Sequence, residues 1–292
     1  MEKAILLINP NAGQGKLKGL ATELVARLTA AFKEVKQINL ADPQVDRTQI
    51  AELAQEFDLV IAAGGDGTVH SVVNAIAPLE ERPALAIIPG GTANDFARQL
   101  NIAQDPLDAV EQIFARKTEW IDIGQANTSY FLNFWGIGLI TETSQSVDTT
   151  NKQTVGKLAY YLGAVQSIGK FTPFKVSIKS EQSHIEDEVV MVIIGNGSYT
   201  GGIRAFFPEN KINDGLFEVV LIKEASIQTA WSILQAKLTK TTENSKGIIT
   251  FRTNTLTINT EPNQQIDCDG EAEGHTPALI KALPKHINVI VG

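Results

Sequence analysis

Short apolar runs alternate with amphipathic stretches of helical period along the first 120 residues. "KAILLIN" reads as a buried strand, and in the segment after it Leu17, Leu20, Leu24, Leu28 and Ala31 recur at helical spacing. "FDLVIAAGG" is a second strand and turn, followed by Val69, Val72, Val73 and Ile76 at i, i+3, i+4 and i+7, a helix with one buried face. "PALAIIPGGTANDFARQL" repeats the theme, with Thr92 as the expected N-cap and Asp95 in the first helical turn. A weaker unit of the same kind, "EVKQINLADPQVDRTQIAELAQEF", lies between the first two. Strands alternating with helices through short loops predict an α/β fold with a parallel, doubly wound sheet whose ligand site lies beyond the carboxyl ends of the strands.

After "WIDIG" the pattern changes. "FKVSIKS", "EVVMVIIGNGS", "GLFEVVLIK", "IITFRTNTLTINT" and "HINVIVG" alternate or are rich in β-branched residues, which predicts strands. Only "VGKLAYYLGAVQSIG" and "SIQTAWSILQAKL" carry a helical pattern there. The expected division is therefore an α/β domain over 1–122 and a β-rich sandwich over 123–292, with the last strand free to return to the first domain.

Composition narrows the function. A chain of 292 residues can fold as two units. Its net charge of -8 argues against a nucleic-acid surface. Cys268 is the only cysteine, so no internal disulfide can form and a reducing cytoplasm is the natural setting. No apolar run reaches the roughly 18 residues of a membrane span, so any membrane contact is peripheral. The tryptophans Trp120, Trp135 and Trp231 read most simply as core.

The candidate chemistry sits in three glycine-rich loops expected at one sheet edge. Gly64-Gly65-Asp66-Gly67-Thr68 opens a helix, where amides and the helix dipole favour an anion and the glycines remove Cβ atoms that would block a phosphate. Asp66 can hold magnesium there, directly or through water; the bland alternative is a tight turn with an acidic cap. "NPNAGQGK" and "PGGTAND" supply the other two loops. Neither a P-loop nor a dinucleotide fingerprint is present. Lys16 can reach a phosphate or stand solvated at the helix start. The turn signals Asn213-Asp214-Gly215 and Asp269-Gly270 complete the set.

"NPNAG", "GGDGTVHSVVNAI" and "PGGTANDFAR", followed in order by "WIDIG", "FLNFWGIG", "GKLAYYLGAV", "GNGSYTGG", "NKINDGLFEVV" and "DGE", resemble the diacylglycerol kinase catalytic superfamily, particularly its soluble bacterial lipid kinases. The resemblance implies a nucleotide-binding α/β domain followed by a β-sandwich, with ATP in the cleft between them. It implies nucleotide contacts at Asn9, Pro10, Asn11, Ala12, Gly13, Gly65, Asp66, Gly67, Thr68 and Thr92, with Asp66 and Asp95 organising phosphates or Mg2+. It also implies a second magnesium site at Asp214 and the carbonyls of Lys211 and Leu216, where the residues alone read as a turn before a strand. Glu271 is implied as the proton acceptor.

The activity implied is ATP- and magnesium-dependent phosphorylation of a lipid hydroxyl, with diacylglycerol giving phosphatidic acid as the default. The partners are then a membrane lipid and a transient membrane surface, with a homodimer left open and no nucleic acid. Three positions depart from the family pattern: His70-Ser71 stands where many relatives have Asn-Glu, no threonine lies near Leu40, and "GIGLITET" lacks an acid that often follows in relatives. A nicotinamide nucleotide kinase and a non-catalytic nucleotide or lipid sensor are the alternatives. "GTANDFAR" and "DGE" argue against the first, and Asp66 with Glu271 against the second.

Overall fold

The computed structural model describes residues 1–138, 141, 172–202, 204, 207, 209–223 and 247–292. The two helical patterns expected over 155–169 and 226–238, and Trp231, lie outside the described residues. The chain forms two compact units, Met1–Ile121 with Lys285–Gly292, and Asp122–Pro284.

In the first unit, β1 (Lys3–Ile8), β2 (Glu34–Asn39), β3 (Leu59–Gly64) and β4 (Ala84–Pro89) alternate with α1 (Lys16–Ala31), α2 (Arg47–Ala54) and α3 (Asp66–Ile76). After β4 come α4 (Asp95–Gln99) and α5 (Pro106–Ala115). The strands lie in the order β2-β1-β3-β4 and all pair in parallel. β3 and β4 are buried along their whole length, because helices cover both sheet faces. On one face Leu17, Leu24 and Leu28 of α1 and Val110 and Ile113 of α5 pack against Leu6, Ile8, Ile61, Ala63 and Ile88. The fifth parallel strand comes from the chain's far end: the C-terminal part of β16 (Ala278–Ile290) pairs with β4 through Val289 and Leu85.

His286 pins this returning strand. Its Nε2 donates to the carbonyl of Ala77 at 2.9 Å, while the Arg82 guanidinium lies 3.5 Å from Nδ1 and donates to the His286 carbonyl at 2.8 Å. Burial lowers the imidazole pKa from 6.5, opposed by the Ala77 bond and reinforced by the Arg82 charge. A histidine held neutral stabilises the fold fully above its unfolded pKa, and that contribution is lost as pH falls from about 6.5 through the lower folded value. The stability advantage of the native protein over His286→Gln should therefore shrink from pH 7 to pH 5 in paired thermal melts; a constant gap would deny His286 this role.

β5 (Thr118–Ala126) runs from the first unit into the second. The second unit contains β6 (Ser129–Phe131), β7 (Phe134–Gly138), β8 (Phe174–Ser180), β9 (His184–Val189), β10 (Met191–Gly195) and β11 (Phe217–Ile222). It continues with β12 (Ile248–Thr253), β13 (Thr255–Glu261), β14 (Gln265–Cys268), β15 (Glu271–His275) and the first part of β16. One sheet runs β16-β13-β8-β9 and the other β12-β11-β10-β7-β14-β15, both antiparallel here. Val176, Ile178, Ile258 and Ile280 of the first interleave with Trp135, Ile137, Val192, Ile194 and Phe217 of the second in one apolar core. This is the expected sandwich, and the alternation along β8 and β13 is what one buried and one solvated face require. Trp135 is wholly buried, as expected of core. Trp120 is not: it is 53% exposed, because the first residues of β5 stand clear of cover and burial begins only at Ile121.

Candidate active site

β1, β3 and β4 end side by side, so the three glycine loops meet as their positions predict. The loops touch through their backbones. A Cβ on Gly13, whose φ is +56°, would overlap the carbonyl of Gly90, and one on Gly91 would lie 2.6 Å from the Cα of Gly65. A Cβ on Gly64 would strike the side chain of Thr68. At these positions the bareness of glycine is needed for loop-on-loop packing.

Asn9 joins the first loop to the second. Its Oδ1 accepts from the amide of Asn11 at 3.1 Å, an Asx turn, and its Nδ2 donates to Thr68 Oγ1 at 3.4 Å. Pro10 and Asn11 lead into a single 3-10 turn over Ala12–Gly15. Gly65 caps α3, so Asp66, Gly67 and Thr68 form its first turn. Lys16 stands 3.8 Å from Asp105, both side chains about half exposed.

Asp66 takes a role the sequence did not disclose. Its Oδ2 accepts from the amide of Asn94 at 3.0 Å and its Oδ1 from the amide of Asp95 at 2.7 Å. One carboxylate therefore caps the start of α4 from the neighbouring loop. Thr92, the expected N-cap, is exposed, and the cap position belongs to Asn94 in the left-handed region at φ 49°. Helix α4 begins two residues later than a Thr92 cap would place it, because its acceptor is supplied by Asp66 instead. Asp95 is in the first turn, as expected, and buried.

In the third loop the amide of Gly90 donates to the carbonyl of Gly64 and that of Gly91 to Asn94 Oδ1. The amides of Thr92 and Ala93 are left without an acceptor among the described residues. Free amides beside helix starts are suited to an anion, and Asp66 and Asp95 offer hard oxygens of the kind that could hold a magnesium ion. Among the described residues no three His, Cys, Asp or Glu side chains group as a ready-made metal site. Any ion there would draw ligands from phosphate and water as well as protein, as magnesium commonly does. His70 is buried in α3, with Nε2 3.3 Å from Asn74 Nδ2.

Two further places lie in the second unit. Asp269, at φ 57°, and Gly270, at φ 93°, form the two-residue turn between β14 and β15 that the Asp-Gly pair predicts, and Glu271 is the first residue after it, exposed. Asp269 itself is buried and accepts from three successive amides, Leu132 at 2.7 Å, Asn133 at 2.8 Å and Phe134 at 3.0 Å. Removing that carboxylate strands three buried donors. Asp269→Ala should therefore cost roughly 3 kcal/mol or more in urea unfolding, whereas Asp269→Asn, which tolerates the same backbone, should cost less. In the other place, Asp214 Oδ1 accepts from the amide of Leu216 at 3.2 Å while Oδ2 pairs with Arg252 at 2.6 Å. Asp122, buried, accepts from the Gly215 amide at 2.6 Å. The loop containing Lys211, Asp214 and Leu216 is thus a braced turn in which a cation would compete with a guanidinium for Asp214. Neither Asp122 nor Asp269 could be singled out as a brace from the sequence, because their amide partners are distant in the chain.

Comparison with known proteins agrees with this architecture in both halves. The family described as Diacylglycerol kinase catalytic domain matches residues 3–126, and that described as YegS C-terminal NAD kinase beta sandwich-like domain matches residues 136–291. The chain is 33% identical to a diacylglycerol kinase of Bacillus subtilis, over 100% of this chain and 97% of that protein. It is 30% identical to a diacylglycerol kinase of Staphylococcus epidermidis, over 99% and 92%. A crystal structure of a diacylglycerol kinase from Bacillus anthracis superposes with a TM-score of 0.80 at 37% identity, covering 100% of this chain and 97% of that one. Full-length likeness at this level, together with three interlocked glycine loops at one sheet edge, places the chain in the diacylglycerol kinase family, a family of lipid kinases.

Proposed function

We propose that the protein transfers the γ-phosphoryl group of ATP to the hydroxyl of a membrane lipid, with diacylglycerol as acceptor and phosphatidic acid as product. The observation that carries this is the meeting of three glycine loops around Asp66, with the amides of Thr92 and Ala93 left for an anion. In the reaction the lipid oxygen bonds to the γ-phosphorus as the bond to the bridging oxygen of ADP breaks. The hydroxyl proton passes to Glu271. Bound magnesium, organised by Asp66 and Asp95, would offset the phosphate charge. A second ion at Asp214 and the carbonyls of Lys211 and Leu216 belongs to the same proposal and would compete with Arg252 for Asp214. Among the described residues no helix is long and apolar enough to cross a membrane, so we place the encounter with lipid at the membrane surface.

The test is incubation with labelled ATP, Mg2+ and mixed micelles carrying diacylglycerol, phosphatidylglycerol, a sphingoid base or undecaprenol. Labelled phosphatidic acid is expected. Label on another lipid would change the acceptor, and nucleotide binding with no labelled lipid would favour the sensor.

A further inference from the structure

We infer that Gln104, which lies outside every motif, is a positioning residue for the nucleotide loop and acts through Asn94; this rests on the nucleotide site proposed above. Asn94 is buried and held in the left-handed backbone region, a conformation asparagine tolerates better than most residues but does not favour unaided. What holds it is a closed set of hydrogen bonds. Its Oδ1 accepts from the Gly91 amide at 2.9 Å and its Nδ2 donates back to the Gly91 carbonyl at 3.0 Å, so the carboxamide acts as a peptide partner for a loop that has no strand beside it. The same Nδ2 donates to Gln104 Oε1 at 3.2 Å, and Gln104 Nε2 donates to the Ile102 carbonyl at 3.0 Å.

The Gln104 amide is thereby oriented at both ends. Its nitrogen is fixed on the backbone just before it, and its oxygen takes the remaining proton of Asn94. An asparagine rotated by half a turn would present oxygen to Gln104 Oε1 and to the Gly91 carbonyl, and nitrogen to the Gly91 amide. Gln104 therefore helps select the one orientation of Asn94 that clamps Gly91. The clamp fixes the backbone on either side of Thr92 and Ala93, whose amides remain for the phosphates. The next residue along, Asp105, meets the first loop through Lys16, but that pair is loose at 3.8 Å and half exposed, so it contributes little.

A positioning role predicts a specific pattern. Gln104→Leu should weaken binding of Mg-ADP about five- to tenfold in calorimetry and raise the KM for ATP by a similar factor. The KM for lipid and the turnover at saturating ATP should stay within twofold. Asn94→Asp keeps the acceptor and loses the donor, so it should weaken nucleotide binding at least as much, and adding Gln104→Leu to it should weaken binding no further. Gln104→Met, similar in length and also lacking the acceptor, guards against a folding defect and should match Gln104→Leu. Asp105→Asn, which can still cap α5, should leave Mg-ADP affinity unchanged.

Mg-ADP affinity within twofold of the native value in both Gln104 variants would overturn the inference, as would full additivity with Asn94→Asp. A native protein that binds neither ADP nor ATP would instead overturn the nucleotide site, and the inference with it. Native binding of nucleotide without lipid turnover leaves the calorimetric cycle able to decide for or against Gln104.

Discussion

Asp66→Ala is expected to lower lipid-dependent ATP turnover about a thousandfold, a scale typical of losing a preorganised group at a charged transition state. Its effect on stability should be small by comparison. The two amides it caps stand at the start of a five-residue helix, and loss of a cap costs about 1 kcal/mol, a shift of only a few degrees in melting temperature for a chain of this size. The contrast is informative because Asp66 has two possible duties. If it mainly holds α4 and the third loop, the loss will appear as weaker nucleotide binding at every Mg2+ concentration. If it mainly organises magnesium, the Mg2+ needed for half-maximal rate will rise while Mg-free ADP binding is preserved. Turnover within tenfold of native would remove Asp66 from the centre of the reaction.

Glu271→Gln is the second large effect, a fall in turnover of roughly a hundred- to ten-thousandfold, the range for losing a general base. The variant keeps size and hydrogen-bonding capacity but cannot take a proton. Nucleotide affinity should be unchanged, because Glu271 belongs to the β14–β15 hairpin and not to the glycine loops. Glu273 supplies the control. It is two residues along the same strand, and its carboxylate accepts from the Ser129 hydroxyl at 2.8 Å. Glu273→Gln should remain within a few-fold of native. If the two variants behave alike, or Glu271→Gln is fully active, the proton acceptor has been misassigned.

Much of the fold is legible in the sequence because burial on both sheet faces leaves an unmistakable trace: "LVIAAG" and "ALAIIP" are apolar throughout, and the helix between them repeats at i, i+3 and i+4. Convergence of the three loops follows from the topology of parallel strands alone. The particular braces do not. Asp66 bonds to amides 28 and 29 positions away, and Asp269 to amides more than 130 positions away. Locally each acid looks like an ordinary turn residue, so its partner exists only after folding. Trp120 illustrates the opposite error. Its side chain invites burial, but its place at the uncovered start of β5 decides its exposure.

The strand that His286 secures has a consequence for how the chain is made. Residues Lys285–Gly292 complete the parallel sheet begun by residues 3–8, so that sheet stays unfinished until residues 285–292 have been made and have folded back onto it. Until then the nascent first unit presents the bare edge of β4, a row of unpaired amides and carbonyls of the sort that recruits other chains. A fragment ending at Ile121, however natural it looks as a cut, would keep that edge open permanently. Appending residues 285–292 to it through a short flexible linker is the economical way to close it.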